Sequence, residues 1–93
     1  MHEYNATQHL LQLALEQADL RDGEQIERLH IVLDPNGGYT PDAIRFYFEQ
    51  LSQGTGAAGA DLAFRLTPHP QQIQLLSIDV GDGPVVQTEP IAS

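Results

Sequence analysis

The sequence predicts an α+β domain, a two-layer sandwich with two helices on one face of a three-stranded sheet, in the order α-β-α-β-β. Three observations predict it. Two stretches carry apolar residues at helical spacing, three others are β-rich with alternating apolar residues, and clusters of Gly, Pro, Asp or Asn punctuate the chain between them. At 93 residues the chain has room for one such domain and not two.

The first helix is read from apolar residues at 6, 10, 13, 14 and at 11, 15, 18. Asn5 followed by Gln8 matches a capping box, which starts this helix just after the first four residues. Arg21-Asp22-Gly23 is a turn, and Ile26 to Leu33 forms a half-buried strand with Leu29, Ile31 and Leu33 on one face and Arg28, His30 and Val32 on the other. Asp34-Pro35-Asn36-Gly37-Gly38 breaks it. Thr40-Pro41-Asp42 then opens the second helix with a hydroxyl at the cap, proline at the first helical position and a carboxylate facing the positive end. Ile44, Tyr47, Phe48 and Leu51 make its buried stripe, and Gly54 or Gly56 ends it. Of the aromatic run, Phe46 and Phe48 cannot face the same way on a helix, so one member is free for an interface.

Leu62, Phe64 and Leu66 alternate with Ala63 and Arg65 in a second strand, and Ile73 to Val80 is a third, joined to it by Thr67-Pro68-His69-Pro70-Gln71-Gln72. In the third strand Leu76, Ile78 and Val80 share one phase while Ile73 and Leu75 share the other, which requires a bulge or burial on both sides. Gly81-Asp82-Gly83-Pro84 stops this strand. Residues 81–93 form a C-terminal tail that is flexible or pairs through Val85-Val86 with a sheet edge in a partner chain.

Composition excludes several function classes. Thirteen acidic residues against four arginines and no lysine give a net charge of −9, the wrong sign for nucleic acid or an anionic membrane surface. No apolar run is long enough to cross a bilayer, and Met1-His2-Glu3 lacks the basic and apolar regions of a signal peptide, so the expected location is cytoplasmic. With no cysteine, thiolate zinc sites, iron–sulfur clusters and Cys nucleophiles are all excluded, and any metal is held by nitrogen and oxygen. The chain has no Gly-x-Ser-x-Gly turn, P-loop or His-Glu-x-x-His helix, and the expectation is that it is not an enzyme. A core this small is compatible with a homodimer.

Three segments resemble a known family. Met1-His2-Glu3 runs directly into the first helix with its Gln8 and Leu10-Leu11. Thr40-Pro41-Asp42-Ala43-Ile44-Arg45-Phe46-Tyr47-Phe48-Glu49 is followed by Leu51, Gly54-Thr55 and Gly59-Ala60-Asp61-Leu62, and Ser77-Ile78-Asp79-Val80 comes last. Together these resemble the HypA/HybF family, nickel metallochaperones of hydrogenase and, in some organisms, urease maturation. The resemblance spans residues 1–80, which it implies are a HypA-like nickel-binding domain. In the family a zinc module built on two Cys-x-x-Cys pairs separates the second and third strands. This chain has six residues there and no cysteine, so the resemblance implies a nickel-binding domain with the zinc domain absent.

The resemblance implies a metal site at Met1, His2 and Glu3, and the chemistry of those residues agrees. A free amine on Met1, the deprotonated amide of His2 and its imidazole form two fused chelate rings with three coplanar nitrogens. The amide of Glu3 or an outside donor closes the square, and such a tetragonal nitrogen site suits Ni(II) or Cu(II), with Ni(II) the family's metal. Glu3 has two readings, one in which it holds the terminal geometry by a hydrogen bond and one as a first-turn carboxylate favoured by the helix dipole. His9 reads as a solvated helix residue, His30 as a sheet-surface residue, His69 as a loop residue and Asp34 as an Asx turn before Pro35. His30 reads equally as an interface residue, and the weaker alternatives are a metal contact for His9 and His69 and a carboxylate neighbouring the site for Asp34.

Two functions follow. In the first, the chain carries Ni(II) at its amino terminus for hydrogenase maturation and hands it to a hydrogenase maturation GTPase or the hydrogenase large subunit. In the second, it is a protein-binding or regulatory module that keeps the fold and no longer delivers metal.

Overall fold

The computed structural model describes residues 2–82. Met1, the side chain of Asp82 and residues 83–93, including the expected edge pairing by Val85-Val86, lie outside the described residues. The elements are α1 (His2–Ala18), β1 (Glu24–Leu33), α2 (Pro41–Leu51), β2 (Asp61–Leu66) and β3 (Ile73–Asp82), the order read from the sequence. The sheet runs β2-β1-β3, with β1 parallel to β2 and antiparallel to β3. No described helix is long and apolar enough to cross a membrane.

One element boundary is corrected at the amino terminus. α1 starts at His2 rather than at Asn5, which is an exposed residue inside the helix. Glu3 supplies a carboxylate to the first turn, and its carbonyl accepts the hydroxyl of fully buried Thr7 at 2.6 Å. The Tyr4 ring meets Tyr47 of α2 edge-on, with centroids 5.6 Å apart. These contacts extend the helix by one turn beyond the local capping signal. At its other end Asp19 adopts φ 46, a left-handed cap that Asp tolerates, and its N–H bonds the Leu15 carbonyl at 3.3 Å.

α2 begins as read. Thr40 is the cap, its hydroxyl accepting from the Ala43 amide at 3.2 Å, with Pro41 in the first turn. Ile44 and Phe48 are buried and Leu51 packs against the core, while Tyr47 sits half-buried between Tyr4 and Phe46 and Phe46 is 58% exposed. The core joins Leu10, Leu11 and Ala14 of α1, Ile44 and Phe48 of α2, Ile26, Leu29 and Ile31 of β1, Leu62 of β2, and Ala57 from the α2–β2 connection.

Two bulges set the sheet's phase. β1 has an extra residue, Glu27, between the pairs Ile26↔Val80 and Arg28↔Asp79, so Ile26 and Leu29, three apart, both reach the core. β3 has its own extra residue, Leu76, between Leu75↔Ile31 and Ser77↔His30. Ile73 and Leu75 before it and Ile78 after it therefore pack on the same core, and Leu76 is left 47% exposed. The mixed phase of this strand is thus explained by a bulge, not by burial on both faces. We expect Leu75→Ala to lower unfolding free energy by about 2 kcal/mol and Leu76→Ala by less than about 0.5 kcal/mol in urea titrations. Equal effects would contradict this phase.

β3 also continues through Gly81 and Asp82, where the sequence suggested a stop. Gly81 pairs with Gln25, and a Cβ there would collide with the carboxylate of bulged Glu27, so the glycine accommodates a neighbour instead of ending the strand. Residues 67–72 cross the carboxyl end of β1, tied to it by Thr67 N–H to the Leu33 carbonyl at 3.1 Å and Asp34 N–H to the Gln72 carbonyl at 3.0 Å.

Candidate metal centre

The start of α1, the β1–α2 loop and the end of the 67–72 connection meet at one edge of the domain. There His2, Glu3, Gly37, Gly38, Tyr39 and Gln72 line an open cleft of about 390 Å³. Two glycines shape the loop wall. Gly38 takes φ 93, and a Cβ on Gly37 would sit 3.0 Å from Cγ of Gln72, so a side chain at either place strains or crowds the wall. His2 is exposed at the first position of α1. The amides of His2 and Glu3 fall in the first turn, where a helix offers no carbonyl four residues back, so they are free of the helical ladder.

Glu3 carries a contact that links this edge to the rest of the fold. Its Oε2 accepts the backbone N–H of Thr40, the cap of α2, at 3.3 Å. Of the three residues read from the sequence as the metal site, His2 and Glu3 line the cleft together, and Met1 lies outside the described residues.

The remaining polar candidates are held elsewhere. His9 lines a separate groove between α1 and β3 with Leu13, Gln17, Gln71 and Leu75. His30 pairs across the sheet with Asp79, Nε2 to Oδ2 at 2.9 Å, beside the Arg28–Asp61 ion pair at 3.5 Å. His69 accepts the Gln71 N–H on Nδ1 at 3.1 Å. Asp34 accepts the Asn36 N–H at 2.8 Å, the Asx turn read from the sequence, and its other oxygen takes the His69 N–H at 3.5 Å. Among the described residues no three His, Asp or Glu side chains converge as a ready cation site. Sequence reading missed Thr40 as the partner of Glu3, and Gly37, Gly38 and Gln72 as the cleft walls. The Gly-Gly pair before Thr40 was the available signal, read there only as a strand breaker.

Residues 1–86 match the sequence model described as hydrogenase/urease nickel incorporation, metallochaperone, hypA. The chain belongs to the HypA family. It is 32% identical over 66 residues to the hydrogenase maturation factor HypA of Caldanaerobacter subterraneus subsp. tengcongensis, covering 71% of this chain and 58% of that protein. It is 34% identical over 68 residues to HypA of Dehalococcoides mccartyi strain 195, covering 73% of this chain and 57% of that protein. The chain thus spans a little over half the length of the curated relatives it matches. The solution structure of the Ni metallochaperone HypA from Helicobacter pylori superposes with a TM-score of 0.66 at 15% identity, covering 83% of this chain and 95% of that one, which shows a shared fold.

Proposed function

We propose that this chain is a nickel carrier for hydrogenase maturation, taking Ni(II) on the Met1 amine, the His2 amide nitrogen and the His2 imidazole, with the Glu3 amide or an outside donor completing the square. The observation that carries the reading is the family match over residues 1–86 joined to a His2-Glu3 turn whose amides are free of the helical ladder. Nitrogen donors in one plane favour Ni(II) over the hard cations. The ion is cargo, and the recipient is a hydrogenase maturation GTPase or the hydrogenase large subunit, both cytoplasmic partners. The carrier performs no bond chemistry of its own and works without zinc.

Calorimetry tests it. The untagged chain is expected to bind one Ni(II), and His2→Ala is expected to lose that binding; identical titrations by the two proteins sink the carrier reading. Because the metal displaces protons from the amine and the amide, affinity is expected to rise about tenfold per pH unit for each proton released.

The six-residue connection between β2 and β3, in a sequence without cysteine, favours the second reading of a protein-binding or regulatory module. Capture of a hydrogenase maturation partner by the nickel-free chain, unchanged on adding nickel, supports that reading. Capture that needs nickel supports the carrier.

A further inference from the structure

α2 turns one aromatic side chain away from the core. Ile44 and Phe48 are buried, and Phe46, midway between them, points to the opposite side of the helix and is 58% exposed. Its ring meets Tyr47 with centroids 5.4 Å apart, and Tyr47 meets Tyr4 of α1, so Phe46 is the outer end of a run of three edge-to-face rings. Asp42 stands one turn before Phe46 and Glu49 one turn after it, the spacing that puts all three on one stripe of the helix, and both acidic residues are exposed. Arg45 is the one basic residue of α2, and it is engaged elsewhere. Its guanidinium lies 4.9 Å from the centre of the Phe64 ring and donates to the Leu62 carbonyl at 3.1 Å. Among the described residues the ion pairs are Arg28–Asp61 and His30–Asp79, which leaves Asp42 and Glu49 without a cation.

We propose that the stripe Asp42-Phe46-Glu49 is a docking surface for a protein segment that presents arginine side chains. The two carboxylates, in a chain of net charge −9, call for a cation, and the bare ring calls for a planar one. A guanidinium stacks on an aromatic face and makes two parallel hydrogen bonds to a carboxylate, whereas an ammonium is a compact, strongly hydrated point charge. One helical turn, about 5.4 Å, separates the ring from each carboxylate, so a guanidinium on Phe46 has an anion within reach on either side. A second copy of this chain is the poorer occupant, because two copies meeting on this face bring the same carboxylates together. The surface does not depend on nickel and serves the carrier and the protein-binding module alike.

The test uses the metal-free full chain at low ionic strength, followed amide by amide in NMR titrations with acetylated, amidated hexa-arginine, hexa-lysine and hexa-glutamate. Hexa-arginine is expected to shift the amides of residues 42–49 and to bind about threefold more tightly than hexa-lysine, while hexa-glutamate does not bind. Phe46→Ala is expected to weaken hexa-arginine about tenfold, and Phe46→Tyr, which keeps a ring face, to stay within about twofold. Asp42→Asn combined with Glu49→Gln is expected to weaken it about tenfold and to flatten its salt dependence. Leu66→Ala, at an exposed apolar side chain on β2, should leave binding unchanged, and circular dichroism checks that the helices remain in every variant. No binding of hexa-arginine overturns the surface. Shifts spread over the whole chain, with no effect of Phe46→Ala, overturn it and leave only the general pull of the net charge. An arginine preference that survives Phe46→Ala puts the site elsewhere, and binding that needs Phe46 but treats lysine and arginine alike overturns the arginine occupant. Self-association of the chain without probe, abolished by Phe46→Ala, overturns it in favour of a second copy. Nickel calorimetry reads the carrier proposal separately, so either can fail alone.

Discussion

Acetylating the Met1 amine is expected to abolish the tight Ni(II) isotherm of the untagged chain. The amine nitrogen is one of three donors that the two fused chelate rings need. An acetyl group converts it to an amide, whose nitrogen no longer offers the lone pair that opens the first chelate ring. Loss of a chelating donor removes several kcal/mol of binding, and each 1.4 kcal/mol is a factor of ten, so affinity should fall by at least about a hundredfold. Calorimetry at constant pH measures it, with circular dichroism to show that the helices remain. Tight, stoichiometric binding by the acetylated chain would place the metal elsewhere and end the amino-terminal proposal. The remaining histidines predict no substitute site, since His9, His30 and His69 lie on different parts of the fold with their own surroundings.

Truncating the centre of β1 should have the largest effect on stability. Leu29 is fully buried on the middle strand, paired to Leu62 on one side and Ile78 on the other, and it faces both helices through the shared core. Leu29→Ala deletes three heavy atoms where neighbours on two strands cannot close the space, which costs about 3 kcal/mol. A domain of this length has a stability of roughly 5–14 kcal/mol, so the variant keeps roughly 2–11 kcal/mol. Leu66→Ala, at a side chain 53% exposed on an edge strand, should change stability by less than about 0.5 kcal/mol. Urea unfolding of the two variants separates them, and a shift below about 1 kcal/mol for Leu29→Ala would mean that β1 is not the organising strand.

Much of the fold was legible because its signals are local. Thr40-Pro41-Asp42 marks the start of α2 through a side chain, a fixed φ and a charge that act within one turn, and the structure begins the helix there. The mixed phase of Ile73, Leu75 and Ile78 could be read as a bulge because a slip of one residue moves every later side chain to the other face. The first turn of α1 was not legible in the same way. Asn5 and Gln8 form a plausible local cap, and what overrides it are contacts to residues more than thirty positions away, Glu3 with Thr40 and Tyr4 with Tyr47. The bulge at Glu27 was hidden for a similar reason, since Leu29, Ile31 and Leu33 alternate well and only pairing with β3 shows the extra residue before them.

The sequence by itself determined the element order, the family resemblance and the nitrogen and oxygen groups that Met1, His2 and Glu3 offer to the proposed site, since hydrophobic period, capping chemistry and ligand chemistry are properties of neighbouring residues. Tertiary structure decided where His2 and Glu3 stand. It set β1 between β2 and β3, drew residues 67–72 across its end, and brought Gly37, Gly38 and Gln72 beside His2. It also turned Glu3 from a first-turn carboxylate into the tie to Thr40. A hydrogen bond between positions 3 and 40 depends on how α1 and α2 dock over the common core, and no local pattern in the chain encodes that docking.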